Sequence, residues 1–177
     1  KHASDTQEMI VDHYDESNKG NAVVTGGKFD ADISKYIPTD YVQSADGTVE
    51  KLGETNAVAK VGDTYYKTLA DAVAAAQDGD TITLLKDAEL TSTLNLAKNI
   101  TIDGQGKYTI KAANSFTVGS DNKTYCVLYV SGEVTLKDVT VNGNEKCRVI
   151  FCDKGKLTID GATITNGKAP NFIGGVY

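Results

Sequence analysis

The sequence is poor in the residue types that several functions require. Lysine and arginine together number 18 against 24 acidic residues, the formal net charge is −6 at pH 7, and Arg148 is the only arginine. Such a chain lacks the basic surface that tracks phosphates, so we expect no nucleic-acid partner. No apolar run approaches the roughly 18 residues of a membrane span, so we expect no membrane insertion either.

Cysteine and histidine are also scarce. The three cysteines, Cys126, Cys147 and Cys152, fit neither a disulfide framework nor a paired zinc motif, and at most one disulfide can join them within the chain. The spacing allows Cys147 with Cys152, or Cys126 with Cys147. We expect Cys126, in an apolar strand, to be a core residue of low reactivity. His2 and His13 have no third ligand at useful spacing, so we expect no metal site and no cofactor.

Charge divides the chain into two unlike parts. Residues 1–53 carry 5 lysines against 10 acidic residues, whereas residues 54–177 are nearly balanced. The first part reads as a polar arm followed by a short strand at Ala22–Thr25 and a small hairpin around Asp46-Gly47. The chain starts at Lys1 without an initiator methionine or a signal segment, so we expect a processed form or an excised fragment.

The residues that are abundant favour strands. Valine, isoleucine and threonine make up 47 of the 177 residues, and β-branched side chains pack well on a pleated surface. One helix is predicted over about 68–78, because Thr68 and Asp71 form a capping-box pattern, apolar residues follow at helical spacing, and Gly79 supplies the stop. The chain is therefore expected to be all-β with a single short helix.

From Asp80 onward, many short strands alternate between apolar and polar residues. The segment 130–143 overlays 153–166 at a constant offset of 23 residues, which places Val134 on Leu157 and Leu136 on Ile159, and the segment 99–110 is a looser copy 34 residues earlier. A repeat of about 20–30 residues with several short strands is typical of a β-solenoid. The strands predicted in this region are 81–84, 94–96, 100–102, 108–110, 116–118 and 126–130.

These residues resemble the right-handed parallel β-helix, or pectin-lyase-like, modules of large surface proteins from gut and other Gram-positive bacteria. The segment 58–110 is similar to the opening of such a module: a strand pair, a capping helix ending at Asp78-Gly79-Asp80, and the first coils. The segment 23–52 is similar to the piece that closes a module. The resemblance implies a closing piece over 1–53 and a β-helix over 54–177 with coils from about 80, incomplete at its C-terminus.

Several outward polar residues are candidates for chemistry or for structure. Asp103 and Asp160 each precede a glycine, and a turn role explains them better than a calcium site or a lyase site, because the acidic residues do not cluster in the sequence. Arg148 as a lyase base lacks a carboxylate pair at a matching position. Asn142 and Asn166, 24 residues apart, are expected to stack as a structural ladder.

Tyrosines are the candidates for contact with sugars, since they combine an apolar face with a polar tip. Ordinary packing at strand ends is the alternative explanation. The candidates are Tyr65, Tyr66, Tyr108, Tyr125 and Tyr129.

The resemblance implies a non-catalytic extracellular module, secreted or attached to the cell wall, that acts as a stiff spacer and display scaffold for adhesion or glycan contact. Its expected partners are a glycan or a host surface protein. The open last coil is expected to be covered by a neighbouring chain in end-to-end self-association, by the N-terminal segment, or by residues beyond Tyr177. One alternative is a fragment of a polysaccharide lyase or glycoside hydrolase, so catalysis stays open. The other is ice binding through the outward threonines Thr101, Thr135 and Thr158.

Overall fold

The structure is a computed structural model and describes residues 22–169 and 175–176. Contacts divide the chain into two compact units, Lys1–Asn56 and Ala57–Tyr177. The second unit contains the helix, the repeats and every candidate residue above except His2 and His13, which lie outside the described residues.

The first unit is a small antiparallel sheet. Its strands are β1 (Gly27–Lys28), β2 (Tyr41–Gln43) and β3 (Thr48–Lys51) in the order β1-β3-β2, and a 3-10 helix spans Ser34–Tyr36. The predicted hairpin at Asp46-Gly47 is confirmed by the pairing of β2 with β3. The predicted strand at Ala22–Thr25 is wrong, because β3 takes Gly27 and Lys28 as its partners instead.

The second unit opens with a hairpin and the one helix. Strands β4 (Ala59–Val61) and β5 (Thr64–Tyr66) pair antiparallel, and helix α1 spans Leu69–Ala75. The predicted cap is confirmed, since the Asp71 backbone N–H donates to the Thr68 hydroxyl over 3.0 Å. The helix is shorter than predicted, because Ala76 already has extended backbone geometry before the chain reaches Gly79.

The side chain of Lys98 caps the C-terminal end of helix α1. The Lys98 ammonium donates to the carbonyl oxygens of Ala74 and Ala76 over 2.7 and 2.6 Å, and to that of Val73 over 3.2 Å. The last turn of a helix leaves carbonyls unsatisfied and carries partial negative charge, so a cation there stabilises it. The helix therefore ends where Lys98 can reach its carbonyls.

The rest of the second unit consists of short strands that return to three sheets in rotation. The strands are β6 (Thr81–Leu84), β7 (Ala88–Leu90), β8 (Leu94–Leu96), β9 (Ile100–Asp103), β10 (Thr109–Ala112), β11 (Cys126–Val130), β12 (Glu133–Lys137), β13 (Thr140–Asn142), β14 (Arg148–Cys152), β15 (Lys156–Asp160) and β16 (Thr163–Thr165). The sheets have the orders β16-β13-β10-β7, β14-β11-β8 and β15-β12-β9-β6-β4-β5. All pairs among β6–β16 are parallel, so this unit is mostly β-strands in parallel sheets, compatible with a β-solenoid.

The predicted register is confirmed. Val134 pairs with Leu157 and Leu136 with Ile159, which is the 23-residue offset. Val134 also pairs with Ile100, which is the 34-residue offset. The strand predicted at 116–118 is absent: this segment lies in the longer excursion before β11, where the Thr117 backbone N–H donates to the Thr91 carbonyl.

Inward residues from all three sheets form one aliphatic core. Ile102 and Leu136 are fully buried on the inner face of the six-stranded sheet. Leu128 on the three-stranded sheet and Ile110 on the four-stranded sheet are also fully buried. Burying an aliphatic side chain of this size contributes about 1.5–3 kcal/mol, so the rows of stacked aliphatics stabilise the unit along its length. At the β15 end the cover is lost: Ile159, directly over Leu136 in register, is 44% exposed.

Candidate functional site

The outer face of the β15-β12-β9-β6 sheet carries a row of threonines. Thr81, Thr101, Thr135 and Thr158 pair in register across the four strands. Their side chains point outward because successive residues of a strand alternate between faces, while Ile102 and Leu136 point into the core. We call these four residues the threonine row.

A shallow depression lies along the threonine row, with a volume of about 160 Å³. Three of its lining residues belong to the row: Thr101, Thr135 and Thr158. A second line of polar residues flanks them: Asn99, Glu133 and Lys156. The depression therefore presents hydroxyl, amide, carboxylate and ammonium groups side by side, which together donate and accept hydrogen bonds.

Neighbouring strands approach closely at Gly132 and Gly155, just before Glu133 and Lys156 of the flanking line. A Cβ at Gly132 would collide with the carbonyl oxygen of Lys98, and one at Gly155 with that of Gly132, so only glycine fits at these two positions. Asn99 ties the line together, because its side-chain oxygen accepts the Glu133 backbone N–H over 2.9 Å. The two offsets of 34 and 23 residues would have aligned Asn99, Glu133 and Lys156 in the sequence, but the sequence analysis did not single them out.

Charged residues line the other side of the threonine row. Lys137 forms an ion pair of 3.0 Å with Asp103, and it also interacts electrostatically with Asp138 and Asp160. The structure thus gathers acidic residues that are scattered in the sequence. The hydrogen bond and charge of Asp103 raise the pKa of Lys137 above its ordinary value, so this lysine holds its proton and is poorly suited to act as a general base.

The Asp103 carboxylate is likewise held in its charged form. Partial burial acts to raise its pKa, but the Gln105 backbone N–H and the Lys137 ammonium outweigh burial, so the pKa lies below its ordinary value. Among residues 22–169 and 175–176, no group of three or more histidine, cysteine, aspartate or glutamate side chains is placed to hold a metal ion.

The two aspartates predicted for turns, Asp103 and Asp160, are the last residues of strands β9 and β15. Asp103 accepts the Gln105 backbone N–H over 2.7 Å, as an aspartate does at the start of a turn. In the segment after Asp103, positive φ angles occur at Gln105 and Gly106 and not at Gly104. Gly104 is required for another reason, because a Cβ there would collide with Val139. At Asp160 the following Gly161 does take the positive φ, at 65°.

The two asparagines expected to form a ladder are joined by their side chains. Asn166 donates from Nδ2 to Oδ1 of Asn142 over 3.2 Å, and the same Oδ1 accepts the Asn144 backbone N–H over 2.8 Å. Asn144 extends the pattern to an earlier segment of the chain by donating to Asn114 over 3.1 Å. The turn after β13 is therefore held by amide side chains.

The five candidate tyrosines do not form one platform. Tyr65 and Tyr66 lie on β5, at the edge of the six-stranded sheet. The others lie before or on strands of the two remaining sheets: Tyr108 precedes β10, Tyr125 precedes β11, and Tyr129 lies on β11. Only Tyr129 has an aromatic neighbour among the described residues, stacking on Phe151 with 6.0 Å between the ring centres.

Tyr129 nevertheless has polar and charged neighbours. Its hydroxyl donates to the Asp153 carboxylate over 3.2 Å, and the Lys123 ammonium lies 5.6 Å from the ring centre. The guanidinium of Arg148 lies 5.2 Å from the ring centre of Phe151. The side chain of Arg148 is buried, with 2% exposure for the residue, so it is not available as a base to a bound polysaccharide.

All three cysteines are free thiols in the structure, which contains neither of the disulfides that the spacing allows. Cys126 and Cys147 are buried and Cys152 is half-buried. Burial raises the pKa of Cys126 to about 12 and that of Cys147 to about 11. A protonated thiol is a weak nucleophile, so these two groups are inert near neutral pH.

No protein-family model, no curated protein and no solved structure matches the chain. In the described part of the chain, no helix has the length and hydropathy to cross a membrane.

Proposed function

We propose that the unit from Ala57 is a right-handed parallel β-helix module of an extracellular bacterial surface protein, and that it serves as a stiff spacer and display scaffold that contacts glycans. The observation that carries the proposal is the threonine row, a regular line of hydroxyl groups mounted on a continuous aliphatic core. A module of this kind presents ligand groups at fixed spacing, and it needs no catalytic residue to do so.

Stiffness is supported by the way that successive coils are joined. Each strand of the interior coils pairs with a neighbour on both sides, as β12 does with β9 and β15. Buried rows such as Ile82, Ile102 and Leu136 run across those pairs. Bending the module would break backbone hydrogen bonds and open a densely packed core, so its shape is resistant to load.

Glycan contact is supported by the chemistry of the depression. A sugar ring offers many hydroxyl groups, each of which both donates and accepts, and the depression offers Thr135 beside Asn99, Glu133 and Lys156. The depression has no aromatic floor, so we expect weak contact with each sugar and a preference for extended polysaccharides that touch several coils.

The test is a glycan array followed by titration calorimetry on any glycan that binds. Thr135→Val keeps the shape of the side chain and removes the hydroxyl from the depression. We expect a loss of affinity of about three- to tenfold, the value of one hydrogen bond. Thr140→Val is the matched control, because Thr140 lies in an equivalent row of the neighbouring sheet, between Thr109 and Thr163.

Two results would overturn the glycan proposal. One is an array without binding to any glycan. The other is an equal loss of affinity in Thr135→Val and Thr140→Val, which would place the contact elsewhere.

A lyase or glycosidase fragment is the first alternative, and the group of Asp103, Lys137, Asp138 and Asp160 is the observation in its favour. Incubation with pectin and with host glycans, followed by detection of released products, tests it. Product formation that is lost in Lys137→Met would replace the non-catalytic proposal with the enzymatic one.

Ice binding is the second alternative, and it draws on the same threonine row. Lines of charged residues flank the row on both sides, Glu133 and Lys156 on one and Asp103 and Lys137 on the other. Those charges interrupt the flat array of hydroxyls that matching to ice would use. A thermal-hysteresis measurement decides the matter directly.

A further inference from the structure

The last strand of the six-stranded sheet has an open edge. In the part of the chain that the structure describes, β15 pairs with β12 on one side and with no strand on the other. Its inward residues are incompletely covered, with Leu157 half-buried and Ile159 44% exposed. An edge of this kind offers unpaired backbone groups next to apolar side chains, which is a template for another strand.

The backbone groups that face outward can be identified. The Lys156 N–H donates to Gly132, and the Asp160 carbonyl accepts from Asp138, so these two residues direct their backbone toward β12. Because successive residues of a strand direct their backbone groups to opposite sides, the N–H and C=O groups of Leu157 and Ile159 point to the open edge. The edge therefore offers two donors and two acceptors.

The sequence of β15 is self-complementary when read in opposite directions. Its five residues are Lys156, Leu157, Thr158, Ile159 and Asp160: a cation, an aliphatic, a threonine, an aliphatic and an anion. If two copies pair antiparallel about Thr158, every residue meets a favourable partner. Lysine lies opposite aspartate twice, leucine opposite isoleucine twice, and threonine opposite threonine once.

The geometry of an antiparallel ladder fits this register. Leu157 and Ile159 would form the hydrogen-bonded pairs, which use the outward donors and acceptors. Lys156 with Asp160 and Thr158 with Thr158 would form the non-hydrogen-bonded pairs, in which side chains approach most closely. A second copy would also cover Leu157 and Ile159.

The opposite edge of this sheet is different. There β6 is followed by β4 and the edge strand β5, which pair antiparallel, and helix α1 contacts both of them. A head-to-tail array would need this end, whereas a pair related by a two-fold axis uses the β15 edge of both copies. We infer that two copies of this chain associate through antiparallel pairing of β15 with β15.

This inference rests on the strand geometry and is independent of glycan binding. Its test is analytical ultracentrifugation of the full chain over a concentration series. We expect a monomer–dimer equilibrium in the unsubstituted chain. Lys156→Asp and Asp160→Lys each place two like-charged pairs across the dimer, so each should weaken association about tenfold or more.

Mixing the two variants provides the decisive measurement. A Lys156→Asp chain has two anions at these positions and an Asp160→Lys chain has two cations, so an equimolar mixture should form a heterodimer although each variant alone is monomeric. The double variant Lys156→Asp with Asp160→Lys should also regain self-association. Neither rescue can come from monomer stability, because the intramolecular neighbours of the two positions, Glu133 beside Lys156 and Lys137 near Asp160, stay in place.

Lys154→Asp makes the same change of charge on an exposed residue next to β15 and should leave the dimer intact. A chain that is monomeric at every concentration would overturn the inference, and protection of the Leu157 and Ile159 amides from hydrogen exchange in that monomer would show that the chain itself covers the edge. A dimer that is insensitive to both charge reversals would place the contact on another surface and overturn it as well.

Discussion

Strands β12 and β15 carry the same pattern of residues in different surroundings. Val134 and Leu136 in β12 are almost completely buried, whereas their partners in register, Leu157 and Ile159 in β15, are half-buried and exposed. The difference arises because, within residues 22–169 and 175–176, β12 lies between two strands and β15 lies beside one. Position in the stack therefore decides how much a given aliphatic residue contributes.

The largest expected effect comes from shortening the two aliphatic partners separately. Leu136→Ala should lower the free energy of unfolding by about 2–5 kcal/mol, because it leaves a cavity between two neighbouring coils. Ile159→Ala should cost less than about 1 kcal/mol in the monomer, because its side chain is already hydrated in part. Urea denaturation at low protein concentration measures both.

The protein concentration sharpens this comparison. If β15 pairs with a second copy, the cost of Ile159→Ala should grow as concentration rises, whereas that of Leu136→Ala should change less. Equal costs in dilute solution would mean that β15 is covered within the monomer, contrary to the exposure of Ile159.

The contrast also explains what the sequence could predict. The 23-residue offset pairs Val134 with Leu157 correctly, because aliphatic residues on the inner face of one strand pair with aliphatic residues of the neighbouring strand. The same offset assigns Ile159 to the interior as well, although it is exposed. A sequence pattern specifies the face of a strand, and burial depends in addition on the neighbour that covers it.

Other features could not be predicted because they join distant residues. The end of α1 depends on Lys98, more than twenty positions away, and no local signal marks that lysine as a cap. The grouping of Lys137 with Asp103, Asp138 and Asp160 depends on the parallel pairing of β9, β12 and β15. By contrast, the Thr68 cap lies within one turn of the helix and was predicted.

The next effect concerns the buried thiol of the interior strand β11. Burial raises the pKa of Cys126 from 9.0 to about 12, so the folded chain keeps this proton while the unfolded chain releases it. The free energy of unfolding should therefore fall as the pH rises from about 9 toward 12. The Cys126→Ala variant should show a shallower fall over the same range, as followed by urea denaturation.

Comparison with Cys152 on the neighbouring strand β14 provides the control. Tyrosine and lysine side chains also titrate in this range, so the informative quantity is the difference between the parent chain and the variant. Maleimide near pH 8 should modify half-buried Cys152 on β14 at least tenfold faster than buried Cys126. Equal rates would contradict the burial of the interior thiol.

The smallest expected effect distinguishes Asn142 from Asn166. Asn142 lies on β13, which has a strand on each side, and Asn166 follows β16, the last strand of the same sheet in the described residues. Asn142→Ala removes an acceptor used by both Asn144 and Asn166, so it should lower the free energy of unfolding by about 1–2 kcal/mol. Asn166→Gly removes a single donor and keeps the left-handed backbone, whose φ is 51°, so it should cost less than about 1 kcal/mol. The double variant should cost less than the sum of the two, because the shared hydrogen bond is lost only once. Strict additivity of the two costs would show that the hydrogen bond between Asn142 and Asn166 contributes nothing to stability. The pairing of the strands would then hold the two amides together, and the amides would not stabilise the pairing.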